Sequence, residues 1–534
     1  MTMTVLIVIL IIAAALAAAE WKFSFMRTAY DAKKLPHCLI ALLSVLLSLM
    51  SVPLFLSCFA DARDDVPYPL EAGVKYYNPY VQQFDALRKG QLYLDMEVDE
   101  RLLELDNPYD YQARQKSRAD APWDRALYDG KYYSYFGIAP VFAVYYPYWL
   151  IKGALPGEST VMAVYLFITA LFLPLALFKW AESTEKKIPL VPLLLAVPAV
   201  FLSSAVLLVA RGYAHFYYIA VIAGIAYLSA FLFFSFAAYT AKSRAAKCAL
   251  WAAAGISYAL IFLSRLNIAF LAAFSVVPGL WFMILRRDGK WRKLRTVATE
   301  LACLGAPVAA AVGFSMWFNA ARFSGPFDFG ANYQLTVADV STYRLRISDL
   351  PYAIYNYFLA PADACENYPY ITFTRTGVSP SHYVYRDANL GLFCFPLTLG
   401  ILTAPVITFS QRAAIKRRVM TGTAFFGLLV LAWFDFCKGG VIYRYTADIA
   451  LMASFLAAAS LLYLLGSDSE IESKKDKPAL SHSVLYAAIC GFFMLSAVLA
   501  LRVSLINGHT YISDIPEKVL EIFEKILPFA KTVK

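Results

Sequence analysis

Runs of roughly 20 apolar residues recur along the chain, and such a run has few stable destinations. About 20 residues of α-helix cross a bilayer core of about 30 Å, and only a helix satisfies its own backbone groups there. Apolar segments fall near 1–19, 39–60, 136–153, 160–179, 189–210, 213–238, 249–264, 268–285, 297–318, 389–409, 419–435, 449–465 and 483–501. A soluble domain cannot cover that many, and with 60% hydrophobic and only 16% charged residues the chain has too little polar surface to try. The expected fold class is an all-α polytopic membrane protein with about 11 to 13 transmembrane helices.

The charges mark topology. The net charge of +10 comes from short basic clusters between apolar runs, such as Arg286, Arg287, Lys290, Arg292, Lys293 and Arg295. This is the pattern of cytoplasmic loops, and it argues against a nucleic-acid partner. Two stretches, 61–135 and 319–388, have no span-length apolar run and read as long extracytoplasmic loops; the first holds 15 Asp and Glu against 10 Lys and Arg. An even number of spans must join them, yet seven apolar segments lie between. The segment 136–153, with Pro140 and Pro147, is therefore expected to be re-entrant or partial. Residues 1–37 read as an extra helix, retained rather than cleaved, with its cytoplasmic loop. Residues 38–465 read as the core, and 466–534 as a linker, a last span and a surface helix. A surface helix is also expected over Asn78–Leu94, ending near Gly90, and an outer turn over Asp435–Asp448.

Desolvating a charge beside the bilayer costs several kcal/mol unless it pairs or faces water. Ionisable residues at the expected outer ends of apolar runs are therefore site candidates: Asp64, Asp65, Asp124, Lys131, Arg211, His215, Arg265, Arg444 and Asp448. Any one of them can instead be an interfacial anchor. Their convergence on one face favours a site, in which a carboxylate serves as general base and the cations hold a phosphate. The densest stretch is Pro122–Pro140, PWDRALYDGKYYSYFGIAP, where Asp124, Lys131, Tyr132 and Tyr133 crowd the mouth of an apolar segment. The eight cysteines form no CxxC pair, with Cys365 and Cys437 in expected outer loops. No phosphate-binding loop, HExxH or dinucleotide fingerprint is present, so neither metal nor cofactor is expected.

Several motifs resemble the GT-C superfamily of membrane glycosyltransferases, which includes bacterial aminoarabinose transferases and protein mannosyltransferases. They are NPYVQQFDALRKGQLYLD (78–95), NPYDYQAR (107–114), WDRALYDGKYYSYFGIAP (123–140), ARFSGPFDFGANYQL (321–335) and RYTAD (444–448). The likeness is closest to uncharacterised bacterial members and spans about residues 38–465. It implies a GT-C-like bundle in the bacterial cytoplasmic membrane with its active site outside. It also implies a polyprenyl-phosphate-linked sugar donor and a glycan or lipid acceptor. Lys131 resembles the phosphate-binding lysine, and Arg444, beside Tyr445, a second cation. The position where relatives carry the first-loop acid is Asn78, which cannot act as a base and is left as a binding residue; Asp64, Asp65, Asp85 or Asp124 must then serve. A lipid or glycan transporter, or a non-catalytic relative that binds polyprenyl lipids, is the alternative.

Overall fold

A computed structural model describes residues 3–23, 28–59, 65–71, 77–214, 216–287, 290–375, 377–467, 480–509 and 511–529. The apolar runs are helices: α1 (Met3–Lys22), α2 (Leu35–Cys58), the short α3 (Pro79–Arg88), α4 (Glu158–Ser183), α5 (Leu190–Ala210), α6 (Tyr217–Thr240) and α7 (Arg244–Ser264). There follow α8 (Leu266–Ser275 and Val277–Leu285, bent by 42°), α9 (Leu294–Phe323), α10 (Pro396–Phe409), α11 (Ile415–Gly439), α12 (Tyr443–Leu465), α13 (Leu480–Ser504) and α14 (Glu517–Ile526). Among the described residues nine helices are long and apolar enough to cross a membrane, or ten with α8 taken as one span. The chain is a multi-pass helical membrane protein.

Three of the apolar segments account for the lower number, one of them the segment 136–153 already expected to be re-entrant or partial. Segment 1–19 is helical in α1 but is not among those nine. Segment 136–153 is a π-helical turn, Val141–Tyr145, followed by the seven-residue helix Tyr146–Lys152 that ends at Gly153 in the left-handed region. Segment 389–409 is mostly 3-10 helix before a six-residue α turn. Prolines at 140, 147, 396 and 405 interrupt the hydrogen-bond ladder of both segments and keep them short.

The centre of the bundle is α6 and α12, apolar and buried nearly all round, as helices with no wet face must be. Helix α6 lies between α4 and α7, α7 against α9, α5 against α13, and the first half of α8 against α11. The expected surface helix at 78–94 is α3, and it is not on the surface. Asn78 caps it by accepting from the Tyr80 amide at 2.9 Å, Gly90 ends it with φ of +75°, and Tyr80, Val81 and Phe84 are buried in the main core. The expected outer turn 435–448 also changes: α11 runs on to Gly439 and α12 starts at Tyr443, so Asp435, Cys437, Arg444 and Asp448 are all helical.

The two long loops join at one end of the bundle. Strands β1 (Ala126–Tyr128) and β2 (Lys131–Tyr133) form a hairpin with Leu127 opposite Tyr132. Its turn is Asp129-Gly130, with φ of +47° and +66°, the pairing that tight hairpins select. The second loop adds to β1, because Ala126 bridges Gln334 and the Leu335 amide donates to the Arg125 carbonyl at 2.9 Å.

Candidate functional site

Asp124 sits where the two loops meet. Its backbone is held in the left-handed region (φ +53°), and its amide donates to the Leu335 carbonyl at 3.0 Å. The carboxylate is buried and accepts hydrogen bonds from the Tyr217 hydroxyl and from Thr336. Burial pushes its pKa above the usual carboxylate range; the Tyr217 hydrogen bond and the nearby Arg444 charge offset part of that rise. Its neighbour Arg125 is committed to the loop fold, donating to the Gln82 side chain at 2.9 Å and the Tyr77 carbonyl at 2.8 Å.

On the other side of Tyr217 lies a cavity of about 440 Å³. Tyr135, Phe136 and Gly137 form one wall, and the break between α7 and α8, Ser264 to Asn267, another. Asn332 and Gln334 of the second loop, Asp435 and Lys438 of α11, and Arg444 and Tyr445 of α12 complete it. The close fit at the break requires glycine at 137, since a Cβ there would lie 2.3 Å from the Ser264 carbonyl oxygen.

The cavity charges differ in how they are neutralised. Arg265 is paired with buried Asp448 through Nε–Oδ1 at 3.0 Å and Nη2–Oδ2 at 2.6 Å, a two-point contact that fixes the guanidinium. Lys438 donates to the Tyr343 carbonyl at 2.9 Å. Asp435 accepts from the Asn267 amide at 2.7 Å through Oδ1, while Oδ2 is buried with no hydrogen-bond partner among the described residues. Arg444 is different: its guanidinium stacks on Tyr217 (4.4 Å to the ring centroid) and Tyr445 (5.3 Å), and no acceptor or carboxylate among the described residues takes its N–H groups. A guanidinium held by ring faces keeps its in-plane donors available for a ligand.

Of the residues singled out from sequence, Asp124, Arg265, Arg444, Tyr445 and Asp448 come together here. Others lie elsewhere. Lys131 is exposed on β2, its ammonium 4.6 Å from the Tyr93 ring centroid, and does not line the cavity. Strand alternation sends Tyr132 into a small core with Leu94 and Leu127, and Tyr133 into another with Phe323. Arg211 donates to the carbonyls of Ser504 and Ile506 at 2.7 Å and of Ser513 at 2.8 and 3.0 Å, tying α5 to the C-terminal segment. Asp85 is bridged to Lys89 at 2.8 Å, and Asp65 accepts from the Tyr148 hydroxyl at 2.7 Å. Asn78 donates to Glu158 at 3.0 Å. Asp64 and His215 lie outside the described residues. Sequence reasoning passed over Tyr217, Asp435 and Glu158. An acid at the end of an apolar run was the available signal for Asp435; Tyr217 had none beyond its place at the start of a span.

Fold and site together define a multi-pass helical membrane protein with a charged cavity at one end of its bundle. No family model matches the chain, and no curated protein matches it. Two solved structures are similar to it, both of GT-C proteins. One is ArnT from Cupriavidus metallidurans bound to undecaprenyl phosphate, at 12% identity and a TM-score of 0.37, covering 86% of this chain and 77% of that one. The other is the archaeal oligosaccharyltransferase AglB from Archaeoglobus fulgidus in complex with an inhibitory peptide and a dolichol-phosphate. It is 13% identical with a TM-score of 0.34, and the match covers 92% of this chain and 60% of that one, less than two thirds of its length. Likeness at this level carries no argument about chemistry, which has to come from the cavity itself.

Proposed function

We propose that the chain is a glycosyltransferase that moves a sugar from a polyprenyl-phosphate donor to an extracytoplasmic acceptor of the bacterial cell envelope. The observation that carries this reading is Arg444, a buried-edge guanidinium with free donors in a cavity that also holds Arg265 and Lys438. A departing phosphate gathers negative charge, and prearranged cations stabilise that charge most in a site shielded from water. The basic clusters at the opposite ends of the helices, such as Arg417 and Arg418 at the start of α11, favour placing the cavity on the outer face.

In a single displacement the acceptor hydroxyl attacks the anomeric carbon as the bond to the phosphate oxygen breaks, and the phosphate leaves with the electron pair. The acceptor proton passes to Tyr217 as Tyr217 gives its own to the Asp124 carboxylate. With no enzyme-bound sugar on the path, the anomeric configuration inverts. Asp65 bonds Tyr148 and does not line the cavity, so it has no part in this step.

The test is transfer and lipid binding measured on the same vesicle-reconstituted protein. Arg444→Ala should weaken polyprenyl-phosphate binding, whereas Asp124→Asn should leave binding intact and slow transfer by about 10² to 10⁴-fold, the range of general-base contributions. Native-rate transfer by Arg444→Ala would overturn the phosphate assignment. Lipid binding with no transfer to any envelope glycan would favour the non-catalytic lipid-binding reading.

A further inference from the structure

Beyond the cavity, the second loop builds a groove that the transfer reaction leaves unexplained. Two adjoining cavities of about 300 and 880 Å³ share the wall His382–Tyr385. Arg344 and Arg346 line the first, Arg375 and Arg386 the second. Among the described residues the only carboxylate lining either is Asp349, which is buried and engaged with His382 Nε2 at 3.1 Å. Among the described residues none of the four arginines pairs with a carboxylate. Arg344 and Arg386 donate to carbonyls of their own loop, at 2.5 and 3.0 Å, while the side chains of Arg346 and Arg375 have no acceptor among the described residues.

Four unneutralised guanidinium groups along a concave wall repel one another and favour an anion between them; arginine's planar donor fork suits phosphate or carboxylate oxygens. The groove also adjoins the cavity. Segment 338–343 lies between them, with Val340 on the cavity side and Tyr343 on the groove side, and Lys438 of the cavity ties the strip down by donating to the Tyr343 carbonyl. The end of α11 supplies Asp435 to one and Cys437 to the other.

We propose that this groove binds a polyanionic glycan chain, bearing phosphate or carboxylate groups, and leads it to Arg444 as the acceptor. The inference rests on the transfer reading for its purpose, although the binding itself does not need it. Cations spread over two adjoining cavities match a repeating polymer better than a single headgroup, and they draw such a chain in from solution.

The experiment is binding of poly(glycerol phosphate), alginate and neutral dextran to the full chain in nanodiscs of zwitterionic lipid. Trp433 is a reporter, because its indole donates to the Arg346 carbonyl at 2.8 Å. Both polyanions should bind with an affinity that falls as salt rises, and Arg346→Ala with Arg375→Ala should weaken each by about tenfold or more, while the paired lysine substitutions keep most of it. Equal binding of dextran, or no change in the alanine double variant, would overturn the proposal. Loss of polymer binding on adding phosphatidylglycerol to the nanodiscs would assign the groove to a lipid headgroup and overturn it too. Polyprenyl-phosphate binding, followed in parallel, separates the two hypotheses: its absence with polyanion binding intact would sink the transfer reading alone.

Discussion

The guanidinium of Arg444 lies 4.4 Å from the ring centroid of Tyr217, and the same ring's hydroxyl donates to Asp124. One side chain thus links the cation of the cavity to its buried acid. Tyr217→Phe separates the two functions, since it keeps the ring under Arg444 and removes the hydroxyl. On the transfer reading the same hydroxyl relays the acceptor proton, so the expected outcome is a fall in kcat of about 10² to 10⁴-fold with little change in lipid affinity, checked by steady-state transfer kinetics. Tyr217→Leu should damage both.

The raised pKa of Asp124 gives a pH signature. A base must be ionised, so activity should fall as the pH drops through its pKa, and that acid limb should lie above the ordinary carboxylate range near 4. A pH–rate profile of the native chain should show the limb. Asp124→Asn should flatten it along with lowering the plateau.

Gly137→Ala tests whether the cavity wall depends on backbone contact. The added Cβ would stand 2.3 Å from the Ser264 carbonyl oxygen, so either the 135–140 segment or the α7–α8 break must move. Overpacking of this kind costs about 1 to 3 kcal/mol. A lower melting temperature in detergent together with lost lipid binding is expected.

For Arg265 and Asp448 the informative measurement is a double-substitution cycle. Removing either partner leaves a buried charge alone, at about 3 to 5 kcal/mol, whereas replacing both by apolar groups of similar size should recover most of the stability. Thermal melts of Arg265→Met, Asp448→Leu and the pair check this. Recovery of stability without recovery of transfer would give Arg265 a part in the chemistry.

Most spans were legible as apolar runs of the right length, and Asp124 in the first long loop was legible as a candidate. The legible part ended where charge began. Asp435, Arg444 and Asp448 read as turn residues because apolar windows stop at charges, yet the helices continue, since Asp435 and Arg444 face a cavity and Asp448 is buried against Arg265. Lys131 was misleading for a related reason: its neighbours are aromatic and its stretch is right, but the hairpin register turns it outward, and register depends on partners that a linear reading does not contain. Arg211 and Arg444 are alike as sequence, each a basic residue beside aromatics at a helix end. Only the fold shows that carbonyls from residues 504–513 occupy the first and that none reaches the second.

The cavity also sets a schedule. Asp124, Tyr217, Leu335 and Arg444 are made in four separate episodes of synthesis, Asp124 and Tyr217 alone being 93 positions apart. Until α12 has been inserted the cavity lacks Arg444, and on the transfer reading a shorter chain has only Arg265 and Lys438 to offer a lipid phosphate. A product that stops short of α12 is therefore expected to stay inert.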